Sequence, residues 1–369
     1  MQSIRVYTPK MQLLDEVDNY QSLQFERSFY GVGKFELHIN MHLPGSESFE
    51  KGNLIVLDKQ AHKAGIIMSK EVELDENGKA SENFKLTGYS LDGLISRRIT
   101  VPPVHTSHDR RSGSAELVMK HYVINNFIDP VNSERKMPLL EVAPNLNRGK
   151  QIKWESRYKN VAEELEVIGQ IGNLGWVVYA DIPRKKLIFD VVESKDLTQG
   201  NEQGNSPVFF SPDFSTVESQ NFVNSDHELR NVGYVGGQGE GVDRKIIILG
   251  NTSGWNRIEE FIDARDVGTE DEESEEELTE EEIEQRLIER GIQKMREMQT
   301  ILSFEAEILT PITRKVYERN KQGYVTEKII QETPFEYEKD FNLGDTVDVF
   351  NKSWGVTMKA PIVAVREIH

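Results

Sequence analysis

SRYKNVAEELEVIGQIGNLGWVVYADIPRKKLIFDVVE, residues 156–193, reads as a short helix delivered into a twisted hairpin. Val161, Leu165, Ile168 and Ile171 recur at spacings of three and four, which puts them on one helical face. Ser156 or Asn160 can cap the start, and Gly172 with Gly175 stops the helix. Trp176 to Ala180 and Lys186 to Val192 then read as two strands. Asp181-Ile182-Pro183-Arg184 turns between them, with Pro183 fixing its own φ and removing a ladder donor. The stretch holds no nucleophile, no acid–base pair and no glycine cradle. It speaks of architecture before chemistry.

Toward the N-terminus the grammar is antiparallel β. Tyr20 to Asn40 holds two alternating runs, with Gly31 and Gly33 between them at a turn. Asn53 to Asp58, Ala64 to Leu74 and Asn83 to Tyr89 are further short strands, and Asp75-Glu76-Asn77-Gly78 is a hairpin turn signal. Leu91 to Arg98 predicts a short helical turn before Pro102-Pro103. Ser114 to Ile128 is amphipathic, with Ala115, Val118, Met119, Tyr122 and Val123 on one stripe.

Beyond the hairpin, β returns. Asn231 to Leu249 predicts a hairpin with a glycine-rich tip. Thr346 to Asn351 and Thr357 to Ile368 are the last strands, turning at Trp354-Gly355. Between these blocks lies a helix: Thr279 and Glu282 form a capping-box pair, Leu278 and Ile283 fit a staple, and Ile283, Leu287, Ile288, Ile292, Met295 and Met298 share a face. That face fits a coiled coil between subunits or packing on its own barrel. The expected class is mainly β with α+β. The expected domains are a first small antiparallel β-barrel (1–104), a middle α+β domain (105–204), a second barrel (205–266 and 303–369), and an acidic run plus amphipathic helix inserted in it (267–302).

The chain has 369 residues and a net charge of −18. Residues 270–284 hold eleven carboxylates and no Lys or Arg, so most of the acidity is one local feature. Phosphate binding needs a concentrated basic face, and none is present. There is no Cys, which excludes disulfides and thiolate metal sites. MQSIRVYTPK lacks the apolar core of a signal peptide, and no run approaches the roughly 18 apolar residues of a membrane span.

Weighed one by one, the chemical candidates read as structure. His105, His108 and Asp109 (HTSHD) lack the third or fourth ligand a metal needs and read as a polar linker. His38 and His42 lie in or after a strand, His227 is isolated and His369 terminal. Gly233, Gly236, Gly237, Gly239 and Gly241 are not followed by Gly-Lys-Ser/Thr or a helix, so they read as a hairpin tip, not a P-loop. Glu270 to Glu284 lack the Gly turn and spaced oxygens of a calcium loop and read as a solvated, fraying acidic run. Glu163 and Glu164 are not distinguishable as acid and base. No catalytic, cofactor or metal residue is assigned.

Several stretches together resemble the tail-hub proteins of long-tailed phages and prophages, in particular the family typified by the ReqiPepy siphovirus tail protein. They are Gly93-Leu94-Ile95-Ser96-Arg97-Arg98 running into Pro102, the helix SAELVMKHYV from Ser114, and Arg157-Tyr158-Lys159-Asn160 with Gly175. Tyr337 to Val349 (YEKDFNLGDTVDV), Trp354-Gly355 and Ile362 to Ile368 complete the set. The acidic insertion departs from the pattern. The resemblance implies a homotrimer with two related barrels per chain, six barrels in all, continuing a sixfold tail tube. It implies a structural, non-catalytic role at the tail tip of a virion assembled in the bacterial cytoplasm. Implied partners are the distal tail protein, the tape measure and a fibre or receptor-binding protein, with no specific nucleic-acid contact although DNA would pass through the ring. Larger relatives carry a hydrolase or fibre module after this region, for which the chain, ending at His369, is expected to leave no room. The alternatives are a tail-associated cell-wall hydrolase or carbohydrate-binding tail module and, third, a cytosolic scaffold. The acidic run would repel DNA phosphates if it faced a tail lumen.

Overall fold

The computed structural model describes residues 2–72, 82–265, 267–268, 278–308, 312–319, 325–332 and 334–369. The expected turn at Asp75 to Gly78 and the acidic residues 270–277 lie outside them. The chain divides into two compact units, residues 1–209 with 333–369, and residues 210–332.

The first unit is built on a curled sheet of eight antiparallel strands. In spatial order they are Leu13–Val17, Ile4–Tyr7, Leu54–Leu57, Ala64–Glu71, Asn83–Ser90, Lys34–Asn40, Ser22–Ser28 and Ala364–Ile368. Strand alternation sends residues to opposite faces. Ile4, Val6, Leu23, Phe25, Leu37 and Ile39 fill the inside of the curl. Leu54–Leu57 is buried at all four positions. Ile55 and Leu57 join the inner core, while Leu54 and Val56 join the core beneath the helices. This double burial explains why LIVL is apolar without alternation.

The sequence groups the final strand with the second β block, but Ala364–Ile368 pairs along Ser22–Ser28. It covers a sheet edge, and Arg366 to Glu26 and Glu367 to Lys63 fix its register. Such long-range pairing leaves no local signal.

The α+β portion matches its sequence reading closely. Helix Ala115–Val123 continues into a π-helical turn, Ile124–Ile128, and its expected stripe is fully buried. Helix Val161–Gly172 is capped by Asn160, whose side chain accepts from the Ala162 N–H. It ends at Gly172, as expected, with Asn173 capping it in the left-handed region (φ 54°). Leu174–Asp181 and Lys186–Glu193 form the hairpin, with Leu140–Val142 added in parallel. Gly175 serves another purpose than stopping the helix. A Cβ there would lie 2.4 Å from the Phe29 ring, so only glycine lets hairpin and first sheet meet.

In the second unit, Val232–Gly236 pairs antiparallel with Ile246–Leu249 and parallel with Glu259–Asp263. Val217–Ser225 and Ile301–Ile308 make a separate antiparallel ladder, as do Ile312–Arg319 and Val325–Glu332. Helix Glu280–Arg296 starts with the expected capping box between Thr279 and Glu282. It packs on its own chain's sheet: Leu287 is buried among Val235, Ile262, Ala264 and Val267, with Ile283 and Met295 against them. The face is rotated from the expected stripe, for Ile292 is largely exposed and Gly291 is buried. A Cβ on Gly291 would lie 2.4 Å from Leu249 Cδ1 and 2.5 Å from Val235 Cγ2, so glycine sets how closely the helix approaches.

Candidate functional site

The catalytic and ligand candidates lie apart in the structure. His105 is exposed with φ 70°, while His108 is buried with Nδ1 2.7 Å from Ser107 Oγ. Asp109 places Oδ1 2.7 Å from His121 Nε2, and its Oδ2 accepts from Asn125. His38 pairs with Glu36 at 2.8 Å. His42 and His227 are exposed. His369 completes the pairing with Leu23, and burial lowers its pKa. Glu163 is exposed, whereas buried Glu164 accepts from Trp154 Nε1 at 2.7 Å. Gly233 and Gly236 lie in a strand, and Gly239 and Gly241 take positive φ at the tip. Among the described residues no group of three or more His, Asp or Glu is arranged to hold a metal ion.

Two buried polar clusters and one partly exposed one escaped the sequence reading. Glu116 is fully buried and binds Lys120 at 2.7 Å and Arg148 at 2.8 Å, and both cations also reach Asp190. Burial alone would raise the Glu116 carboxyl, but bonds from Arg148 and Lys120 bring it down to about 2. The i, i+4 spacing of Glu116 and Lys120 was a signal, although such pairs usually lie in solvent. Asp92 Oδ1 accepts from the Val178 N–H at 2.6 Å and Oδ2 from the Ser90 hydroxyl at 2.7 Å. Burial pushes it up to about 6 against those bonds. Finally, Glu338 meets Arg27, His62 and Lys63 beside Tyr337, whose hydroxyl accepts from Arg27.

The surface that stands out belongs to the second unit. On the sheet face away from the helix, Ile248, Tyr234 and Phe261 are register neighbours across three strands, with Ile246 in the next row. Trp255, on the turn Gly254–Asn256, is 98% exposed, Ile248 53% and Phe261 51%. Tyr234, Ile246, Phe261, Glu259 and Glu260 line a shallow groove. Arg244 lies over the Phe261 ring at 5.1 Å and Arg257 over Tyr234 at 5.8 Å. Arg244 pairs with Asp263, Arg257 with Glu259 and Arg230 with Glu260. Arg265 shares Asp263 with Arg244, so four guanidinium groups meet three carboxylates around an aromatic centre. Tyr, Trp, Phe and Arg are the residues enriched in protein interfaces, and an exposed apolar patch with a polar rim marks a contact site.

Over nearly its full length the chain aligns with the tail protein from Neisseria meningitidis MC58 at 12% identity, covering 100% of this chain and 92% of that one, with TM-score 0.50. It aligns with the 43 kDa tail protein of prophage MuSo2 from Shewanella oneidensis at 9% identity, covering 99% and 94%, with TM-score 0.51. At these identities the likeness concerns the fold. No curated protein matches the sequence. The family model described as Siphovirus ReqiPepy6 Gp37-like protein matches residues 3–369, and the chain belongs to that family.

Proposed function

We propose that this phage tail protein is the hub at the tip of a phage or prophage tail. Three copies form a ring that closes the tube, organises the baseplate and opens for DNA passage. The observation that carries the reading is the aromatic, Arg-flanked face around Phe261 and Tyr234, a surface suited to a protein neighbour and left open in one chain. The reading includes the division into 1–104, 105–204, 205–266 with 303–369, and 267–302, with the last strand returning to the first sheet. Two β-rich blocks per chain then let three copies present six, and rotational closure caps the assembly. Partners on this reading are the distal tail protein, the tape measure and a fibre or receptor-binding protein. The role is structural and needs no catalytic residue, cofactor or metal. Gold-labelled antibody on purified particles tests the placement: label confined to tail tips is expected. Label along the shaft, or zymogram activity of the chain on peptidoglycan, would overturn the reading in favour of another tail position or a hydrolase.

A further inference from the structure

We infer that the aromatic face of the second unit receives the ladder Val217–Ser225/Ile301–Ile308 of a neighbouring copy. This rests on the ring reading and names the partner of that surface.

The ladder has the marks of half an interface. Two strands alone are marginal in water and need a third strand, a helix or a second sheet. Among the described residues the ladder pairs with no other strand. On one of its faces, alternation puts Val223 and Ile301 with Glu305 and Glu307. All four are exposed, Ile301 at 45%. On the opposite face the cross-strand pair Phe222 and Phe304 is half-buried, while Leu302 is exposed. Nonpolar surface thus points outward beside carboxylates.

Charge selects the complement. The two strands contain Glu218, Glu305 and Glu307 and no Lys or Arg. The aromatic face carries Arg244 and Arg257 over its rings. Val223 and Ile301 meeting Ile248 and Phe261 would bury apolar area at the centre. Glu305 and Glu307 would then approach guanidinium groups at the rim, the arrangement that fixes register and excludes wrong partners. Arg230, Arg244, Arg257 and Arg265 meet only Glu259, Glu260 and Asp263, a surplus too small to suit a nucleic acid but of the sign the carboxylates of the ladder require. Face and ladder are different patches of one chain, so the contact repeated head to tail around a threefold axis closes the ring that the hub reading requires.

The absence of Cys makes a clean test possible. Full-length Ile248→Cys and Ile301→Cys proteins with different tags are mixed under mild oxidation, with exposed Leu13→Cys as control. The mixed 248–301 disulfide should exceed the control pairing by about tenfold or more, because docking raises the effective concentration of the two thiols. Phe261→Glu added to the Ile248→Cys chain should return the yield to the control level. Threefold rings in negative-stain images with control-level 248–301 disulfide would overturn this contact and leave the hub intact. Particles without threefold rings would overturn the hub reading itself, whatever the disulfide yield. Predominant 248–248 disulfide would mean a twofold contact and would also overturn the inference.

Discussion

Lys63 Nζ lies 2.7 Å from Glu367 Oε1, across 304 positions of sequence, in a side chain only 3% exposed. Its second carboxylate is Glu338 at 3.1 Å. Segments far apart in the sequence are therefore fastened by one buried ammonium between two carboxylates, with Arg27 and His62 completing the cluster.

Removing Glu338 takes one of two counter-charges from this ammonium. Glu338→Ala should cost about 2 kcal/mol or more in denaturant unfolding. Burial opposes ionisation of Glu338, but bonds from His62 and Lys63 prevail and hold it near 2. Its contribution is present above the ordinary carboxylate range and is lost as pH falls toward 2. The acid limb of stability should flatten in Glu338→Gln.

Asp92 has the opposite sign. Its folded pKa, about 6, lies above the ordinary carboxylate value because burial dominates. The stability it contributes is complete below about 4 and is lost as pH rises through 6, a swing of about 3 kcal/mol at most. Asp92→Asn keeps an acceptor for the Val178 N–H and should remove that part of the pH dependence. Denaturation midpoints at pH 4, 5, 6 and 7 check it.

Glu116 anchors the α+β core through Lys120 and Arg148. Lys120→Met and Arg148→Met should each destabilise by about 3 kcal/mol, since each leaves the buried carboxylate with one cation fewer. The double variant should cost less than the sum of the two, because both cations share one partner. Chemical denaturation of the four proteins of the cycle measures the difference.

Gly291 decides how closely the long helix sits on its sheet. Gly291→Val should cost roughly 1–3 kcal/mol by overpacking Leu249 and Val235. Limited proteolysis between residues 278 and 300 should accelerate in that variant. Ile292→Ala, at an exposed site, should change little.

The contrast between Gly291 and Ile292 shows how far the sequence could be read. The capping box at Thr279, the stripe from Ala115 to Val123 and the hairpin after Gly172 are local patterns, and local patterns fix elements. Which neighbour a helix meets is a long-range fact: Ile292 has the right chemistry, but the sheet lies under Gly291. The stop at Gly172 was legible, but the cap beyond it is Asn173, in a conformation usually given to glycine. The fastening at Lys63, the joining of Ala364–Ile368 to Ser22–Ser28 and the alignment of Ile248, Tyr234 and Phe261 depend on strand register between distant segments. Individual residues such as Trp255 gave no hint of it.

The central claim is that three chains make one ring. Light scattering on the purified chain, combined with averaged negative-stain images, tests it most directly. The account predicts three times the chain mass of 42.3 kDa and a threefold ring with a central opening. A particle of twofold symmetry, or a monomer that stays monomeric in the presence of its tail partners, would contradict it.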